Sequence, residues 1–458
     1  MVLTRRLVFA AFAAWTISVA IGLLCRAPLT GDEAAYALIA RGDGEAWLYR
    51  SRGVVAFAEL GAWLAGGDAD ERLLRLPMLV AGLPLVFAVA AVGSRAFGAR
   101  AGAIAAAIIA GAHPFVLRGF ELLGDVPATA CLLGAIAIAI RELADPDRPA
   151  SYQLVGVAPL CAAALYLRYA STLVIGLIGV AALVCFWRSI RARPGPAIAT
   201  VIAFGVLVAP FAIASTRATG SPIGVLELAG DVSGRTWFAR GLLIYLFANP
   251  LHSYGVLAPI AMLAGLRGLR RARDPAQRFI AAIAIGQIVV LGLVSHASSR
   301  FIFVAIALLV VLGADVLDRA IRSPARRKLA LGVMAASWLG MAVAMVPLQR
   351  HLAHGLDDLM ASADAIRGDS HGAPCTVVAR ALPQLMWYSR CAGWRYVGRA
   401  NPPIELGPTR YWYAADTPKR PIDAAALGVH ATPVGPAWRL EPCYGSARAN
   451  QPCAAATR

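Results

Sequence analysis

Charge is what this sequence has least of. Of 458 residues, 15% are Asp, Glu, Lys or Arg and 59% are hydrophobic, whereas an ordinary soluble domain carries about 25% charged residues. Too few charges are present to coat a water-facing surface, which excludes a soluble globular enzyme. Lysine is nearly missing, with Lys328 and Lys419 the only two. The chain also has no Walker loop, no G-x-G-x-x-G, no H-E-x-x-H, no G-x-S-x-G and no internal repeat. These absences remove the nucleotide-phosphate, dinucleotide, zinc-peptidase, serine-hydrolase and solenoid readings.

What the sequence does have is a succession of apolar runs near the about 20 residues an α-helix needs to cross a bilayer. They predict an all-α polytopic membrane protein of about eleven transmembrane helices. These lie near 7–25, 76–93, 101–117, 126–140, 153–167, 171–187, 197–214, 242–266, 279–295, 301–317 and 329–347. Arg168 and Tyr169 interrupt the run 153–187, and two helices meeting there cost less than one helix holding a cation at membrane depth. The first run follows Thr4-Arg5-Arg6 as a signal peptide would, but no small-x-small cleavage site precedes Cys25-Arg26-Ala27-Pro28. A retained first helix is therefore expected.

The formal charge of +17 comes almost entirely from arginine. The arginines punctuate the gaps between apolar runs and do not form one basic face, so nucleic acid is not an expected partner. With the N-terminus cytoplasmic, segments 1–6, 94–100, 141–152, 188–196, 267–278 and 318–328 carry nineteen Arg or Lys, and the short outer loops carry six. That asymmetry obeys the positive-inside rule. The Ala- and Arg-rich composition suggests a GC-rich bacterial source, hence a multi-pass protein of the bacterial cytoplasmic (inner) membrane, surrounded by membrane lipids.

Two stretches fall outside the helices. Residues 26–75 form a long first outer loop within a membrane domain of residues 1–349. From 350 to 458 prolines, charges and aromatics appear, and a small periplasmic α/β domain is predicted. Cys375-Thr-Val-Val-Ala, Leu385-Met-Trp-Tyr, Arg395-Tyr-Val and Tyr411-Trp-Tyr-Ala read as strands, with a helix near 355–367. Cys375, Cys391, Cys443 and Cys453 all lie in this tail, an even number suited to disulfides in an oxidising compartment. Proximity favours Cys375–Cys391 and Cys443–Cys453; the spacing is not that of zinc knuckles. Cys25, Cys131, Cys161 and Cys185 fall in or beside helices and read as packing residues. Trp387, Tyr388, Trp394, Tyr411, Trp412 and Tyr413 are able to stack on sugars, though aromatics in strands more often build a core.

The outer loops hold the residues able to do chemistry. Thr30-Gly-Asp32-Glu33-Ala-Ala-Tyr36 follows the first helix. Thr30 and Glu33 have the spacing of a capping box, which starts a short helix with both acids in its first turn. Tyr36 lies four residues after Asp32, on the same face. An ionised base pointing into a cleft is one use of this geometry; capping a loop helix is the other. Arg118-Gly-Phe-Glu121-Leu-Leu-Gly-Asp125-Val-Pro127 places a second acid at a helix start, where it either serves the site or simply begins the helix. Arg168-Tyr169 and His296-Ala-Ser-Ser-Arg300 put isolated cations at the outer boundary. There an arginine either clamps a phosphate or snorkels to lipid headgroups.

Taken together, these elements resemble the GT-C glycosyltransferases, in the branch that contains the protein O-mannosyltransferases and the lipid A aminoarabinose transferases. The resemblance is carried by Asp32-Glu33-Ala-Ala-Tyr36, Arg75-Leu-Pro77, Asp125 and His296-Ala-Ser-Ser-Arg300-Phe-Ile-Phe, and covers about residues 1–347. It implies a sugar donor on a polyprenyl phosphate and a lipid, glycan or protein acceptor, with inverting displacement on the outer face. It implies Asp32, Glu33 and Asp125 as catalytic, Asp32 being the base. Tyr36, Arg118, Glu121, Arg168, Tyr169, His296 and Arg300 would bind substrate. No metal or cofactor is expected for this branch, although the related oligosaccharyltransferases use a divalent metal. A secondary transporter or flippase would instead place ionisable groups near the bilayer midplane, where Gln287 is the notable polar residue. A non-catalytic envelope assembly protein would leave Asp32 and Glu33 as caps only.

Overall fold

The computed structural model describes residues 2–25, 28–42, 49–66, 70–147, 149, 151–232, 236–247, 257–269, 272, 274–294, 297–379, 382–395, 410–414 and 429–442. In chain order the helices begin with α1 (Val2–Leu24), α2 (Gly31–Arg41), α3 (Arg52–Leu64), α4 (Glu71–Gly82), α5 (Leu85–Phe97), α6 (Ala99–Ala110) and α7 (His113–Leu117). There follow α8 (Asp125–Leu143), α9 (Val157–Leu167), α10 (Ser171–Cys185), α11 (Trp187–Ala192), α12 (Pro194–Thr219), α13 (Gly224–Val232) and α14 (Gly241–Phe247). The remainder are α15 (Leu257–Leu269), α16 (Pro275–Gly292), α17 (Phe303–Ala320), α18 (Pro324–His354), α19 (Asp357–Ser370) and α20 (Leu382–Ser389). The strands are β1 (Cys375–Ala379), β2 (Ala392–Arg395), β3 (Arg410–Ala414), β4 (Val429–Val434) and β5 (Ala437–Pro442).

By compactness the chain divides into two units, Met1–Cys25 with Ala46–Pro347, and Arg26–Glu45 with Leu348–Arg458. The sequence placed one boundary at 349/350 and kept the whole first loop with the helices. In the structure that loop is divided, and its first part, with α2, groups with the C-terminal residues.

The first unit is a helical bundle of a multi-pass membrane protein. Among the described residues, seven stretches are long and apolar enough to cross a membrane: Thr4–Leu24, Glu71–Phe97, Asp125–Leu143, Pro194–Thr219, Pro275–Gly292, Ser299–Ala320 and Pro324–His354. This corrects the expectation of about eleven. The other four predicted spans fall on shorter apolar helices, Ala99–Ala110, Tyr152–Leu167, Ser171–Cys185 and Leu257–Leu269. At about 1.5 Å per residue, none reaches across a hydrocarbon layer of roughly 30 Å. The reason is backbone geometry: an apolar run counts side chains and does not register where a helix ends. Gly111 stops α6, and Arg168 stops α9 with an extended backbone at φ −158° and ψ 110°. The predicted break of 153–187 at Arg168 is present, between α9 and α10.

Burial sorts the long helices. The spans on α8 and α17 are 78% and 72% buried and form the centre, whereas those on α12 and α18 are 6% and 17% buried and leave most of their apolar side chains outside the bundle. Since lipid tails are as apolar as leucine, the centre is held by close packing of small residues. At Gly313 of α17 a Cβ would stand 1.8 Å from the carbonyl oxygen of Ala261 on α15, so only glycine permits that approach.

The second unit contains a five-stranded mixed sheet of order β2-β1-β3-β5-β4. Strand β1 pairs in parallel with β2 and β3, Val377 lying opposite both Gly393 and Trp412. Strands β3 and β4 each pair antiparallel with β5. The hairpin β4–β5 was not foreseen, and Leu385-Met-Trp-Tyr is helix α20 where a strand was expected. Parallel pairing explains that correction. A chain leaving β1 must return to the same end before β2 begins, and α20 makes the return. A disulfide joins Cys375 at the start of β1 to Cys391 just before β2, with Cα atoms 4.8 Å apart. It therefore brackets α20. Cys443 and Cys453 lie outside the described residues.

Candidate active site

In the second unit, α2 starts as the sequence requires. Thr30 Oγ1 accepts from the Glu33 N–H at 3.4 Å, and Glu33 Oε2 accepts from the Thr30 N–H at 2.9 Å, completing the capping box. Glu33 is fully buried and Tyr36 nearly so, while Asp32 keeps partial exposure. Of the two acids, Asp32 is the one open to a substrate. At the other end Gly42, at φ 80°, ends the helix in a left-handed turn.

Helix α2 rests on α20. The Leu29 N–H donates to the Tyr388 hydroxyl at 2.7 Å, and Gln384 Nε2 donates to the Leu29 carbonyl at 2.9 Å. The Arg41 guanidinium lies 4.5 Å from the centre of the Trp387 ring, within cation–π range. Trp387 and Tyr388 are both buried, which gives these two aromatics a structural position. The side chains of Trp394, Tyr411, Trp412 and Tyr413 lie outside what is described. No local signal connects Leu29 to Gln384 and Tyr388; the sequence reading missed Gln384 and named Tyr388 only among the aromatics able to stack on sugars.

In the first unit, Asp125, Arg168 and Arg300 come together. Arg168 Nη1 lies 2.5 Å from Asp125 Oδ1 and donates to the Arg300 carbonyl at 2.7 Å. Asp125 occupies the first turn of α8, where unpaired N–H groups favour a carboxylate. Packing brings it to Arg168: a Cβ on Gly124 would stand 1.9 Å from the Leu167 carbonyl oxygen, so the two backbones touch. Phe301 completes the group, with the guanidinium carbons of Arg168 and Arg300 at 5.2 and 5.4 Å from its ring centre. Asp125, Arg168, Ser171, Gln287 and Phe301 line a small pocket here.

The other predicted residues separate into distinct settings. Arg118 Nη1 pairs with buried Glu121 at 2.5 Å. Tyr169 is buried against Phe211, ring centres 5.2 Å apart, and its hydroxyl accepts from the Arg52 N–H at 3.4 Å. His296 lies outside the described residues. Gln287 is buried; its Nε2 donates to the Phe301 carbonyl at 2.8 Å and its Oε1 accepts from the Ala305 N–H at 2.7 Å. It therefore caps α17, and its amide already has backbone partners at both ends. Arg75 was noted in the sequence only as part of a helix opening. It is 2% exposed, with its guanidinium 5.9 Å from the Phe120 ring centre, and a buried cation in a membrane domain belongs among the functional candidates.

Residues 53–213, about a third of the chain, match the family described as dolichyl-phosphate-mannose-protein mannosyltransferase. No curated protein matches the chain by sequence. Among solved structures it is similar to ArnT from Cupriavidus metallidurans bound to undecaprenyl phosphate, at 16% identity and TM-score 0.70, covering 95% of this chain and 97% of that one. The apo state of the same protein gives TM-score 0.70. The fold is of the GT-C type. The oligosaccharyltransferase of Archaeoglobus fulgidus in its apo form is more distant, at 12% identity and TM-score 0.59, and this chain covers 64% of it. Within this GT-C chain, the family match spans α3 through most of α12, including Gly124, Asp125 and Arg168.

Proposed function

We propose that the chain is a membrane glycosyltransferase that moves a sugar from a polyprenyl-phosphate donor to an acceptor hydroxyl. The observation that carries this reading is the Asp125–Arg168–Arg300 group beside Phe301: paired and stacked guanidiniums at helix ends, in a fold shared with a protein solved with undecaprenyl phosphate. In this reading the acceptor oxygen attacks the anomeric carbon while Asp32 takes its proton. The bond from that carbon to the phosphate oxygen breaks, the polyprenyl phosphate leaves, and the anomeric centre inverts. The growing phosphate charge is met by Arg300, with Arg168 holding the Arg300 backbone and balanced by Asp125. Glu33 fixes the turn that presents Asp32. Arg118 with Glu121, Tyr36, Tyr169 and His296 complete the proposed binding set.

Charge neutralisation is thereby assigned to arginines and not to a metal ion. The active face is the periplasmic one, following the arginine asymmetry of the loops. A transporter is the less economical reading, because the amide of Gln287 caps a helix.

The test is transfer from a panel of radiolabelled polyprenyl-phosphate sugars in membranes, with and without chelator, comparing the protein with Asp32→Asn at matched expression. Labelled product that is lost in Asp32→Asn while donor binding persists supports the reading. Equal turnover in the two removes Asp32 as base, and loss on chelation moves charge neutralisation to a metal.

A further inference from the structure

A second cleft, of about 470 Å³ and open to solvent, lies in the first unit between the ends of α1, α6, α17 and α18. Its rim carries Arg6, Arg100 and Arg327 with a single acid, Asp318. Three guanidiniums against one carboxylate leave two net positive charges. Asp318 Oδ1 is matched by Arg100 Nη2 at 2.8 Å. Arg6 and Arg327 have no carboxylate partner among the described residues. Below the rim the wall turns apolar, with Leu7, Ile104 and Met334. The spans of α1 and α18 that border it are only 33% and 17% buried, so the cleft adjoins the lipid-facing surface.

A charged rim over an apolar wall, at the edge of the bundle, matches an amphiphile whose phosphate meets the arginines and whose chain runs along the helices. A soluble phosphate ester would leave the apolar wall wet. A zwitterionic lipid would bring a second cation to a site that already has an excess of them. Basic pockets between transmembrane helices on the cytoplasmic side select anionic headgroups on this ground. Loop charge assigns this end to the cytoplasm.

We infer that this cleft binds one anionic phospholipid of the cytoplasmic leaflet through Arg6 and Arg327, at a site separate from the Asp125–Arg168–Arg300 group. The inference stands whether or not the transferase reading holds. A polyprenyl phosphate has the same phosphate-plus-chain chemistry, so the experiment must separate the two.

The full-length protein is placed in nanodiscs of phosphatidylglycerol and phosphatidylcholine, and native mass spectrometry counts the retained lipids. The protein is expected to keep one phosphatidylglycerol that R6Q/R327Q loses, with enrichment falling roughly thirtyfold at about 1 kcal/mol for each of the two basic residues. The control R5Q/R326Q removes equal charge nearby and is expected to keep the lipid. Added polyprenyl phosphate is expected not to displace it. Equal retention in all three proteins, or equal retention of phosphatidylcholine, overturns the inference; displacement by polyprenyl phosphate reassigns the cleft to that lipid and overturns it too. Photo-crosslinking in the otherwise unaltered chain gives a second readout. Leu331→benzoylphenylalanine is expected to favour phosphatidylglycerol, and Val343→benzoylphenylalanine, on the same helix but outside the cleft, to show no preference. The same preference at both positions overturns the site.

Discussion

The backbone N–H of Leu29 donates to the hydroxyl of Tyr388 at 2.7 Å, across 359 positions of sequence. The carbonyl of the same residue accepts from Gln384. Leu29 is fully buried and immediately precedes Thr30, the N-cap of α2. The place where Asp32 emerges is therefore set by α20, near the far end of the chain.

Tyr388→Phe deletes that acceptor and leaves a buried N–H unpaired, at a cost of about 1–3 kcal/mol. Amide hydrogen exchange over residues 31–41 is expected to accelerate accordingly, with transfer reduced. Unchanged exchange would show that α2 is held by its apolar contacts alone.

Removing the Cys375–Cys391 bridge, by Cys375→Ser with Cys391→Ser, acts on the same helix from the other side. The bridge spans 16 positions, and closing a loop of that size contributes about 3 kcal/mol. Limited proteolysis is expected to cut first between residues 375 and 395, with the far-UV helical signal retained because the bundle helices are untouched. Loss of that signal would mean that the bridge is needed for the whole chain to fold.

The Arg168–Asp125 pair is mostly buried, with side chains 17% and 8% exposed. Breaking such a pair by removing one partner costs about 3 kcal/mol or somewhat more. Arg168→Ala and Asp125→Asn are both expected to lower thermal stability and abolish transfer. Arg168→Lys keeps the charge but loses the planar fork that reaches both Asp125 and the Arg300 carbonyl, so it is expected to retain stability better than activity. Wild-type kcat in Arg168→Lys would reduce Arg168 to a point charge.

Gly124→Ala tests the backbone contact directly. With only 1.9 Å available to its Cβ, the turn before α8 must move away from Leu167, carrying Asp125 off Arg168. Overpacking of this kind costs about 1–3 kcal/mol. The expected result is a folded protein with at least a tenfold loss of transfer, measured at saturating donor. Full activity would mean that the turn relaxes elsewhere.

The sequence revealed what is local. The capping box at Thr30 and Glu33, the helix start at Asp125 and the break at Arg168 each depend on neighbours within a few residues, and each is present. It revealed less of what depends on partners. Leu385-Met-Trp-Tyr has strand composition but must be a helix because β1 and β2 run parallel. The shortness of α6, α9 and α10 reflects backbone breaks inside or beside apolar runs, which hydropathy does not register. For the candidate site, Asp125, Arg168 and Arg300 were named as separate loop residues. Their meeting was not legible, since it requires Gly124 to lie against Leu167. Arg75, Gln384 and Tyr388 have no signature beyond their residue type.

The Leu29–Tyr388 bond also fixes an order of events in time. Leu29 is made 359 residues before its partner, and at roughly 5–20 residues per second it waits roughly 20–70 s. Throughout that interval most of the bundle has been synthesised, while α2 has neither Gln384 nor Tyr388 to hold it. A newborn chain thus passes through a stage with its spans in the membrane and Asp32 unset. Truncating it after α18 and before α20 should arrest it there: inserted and inert.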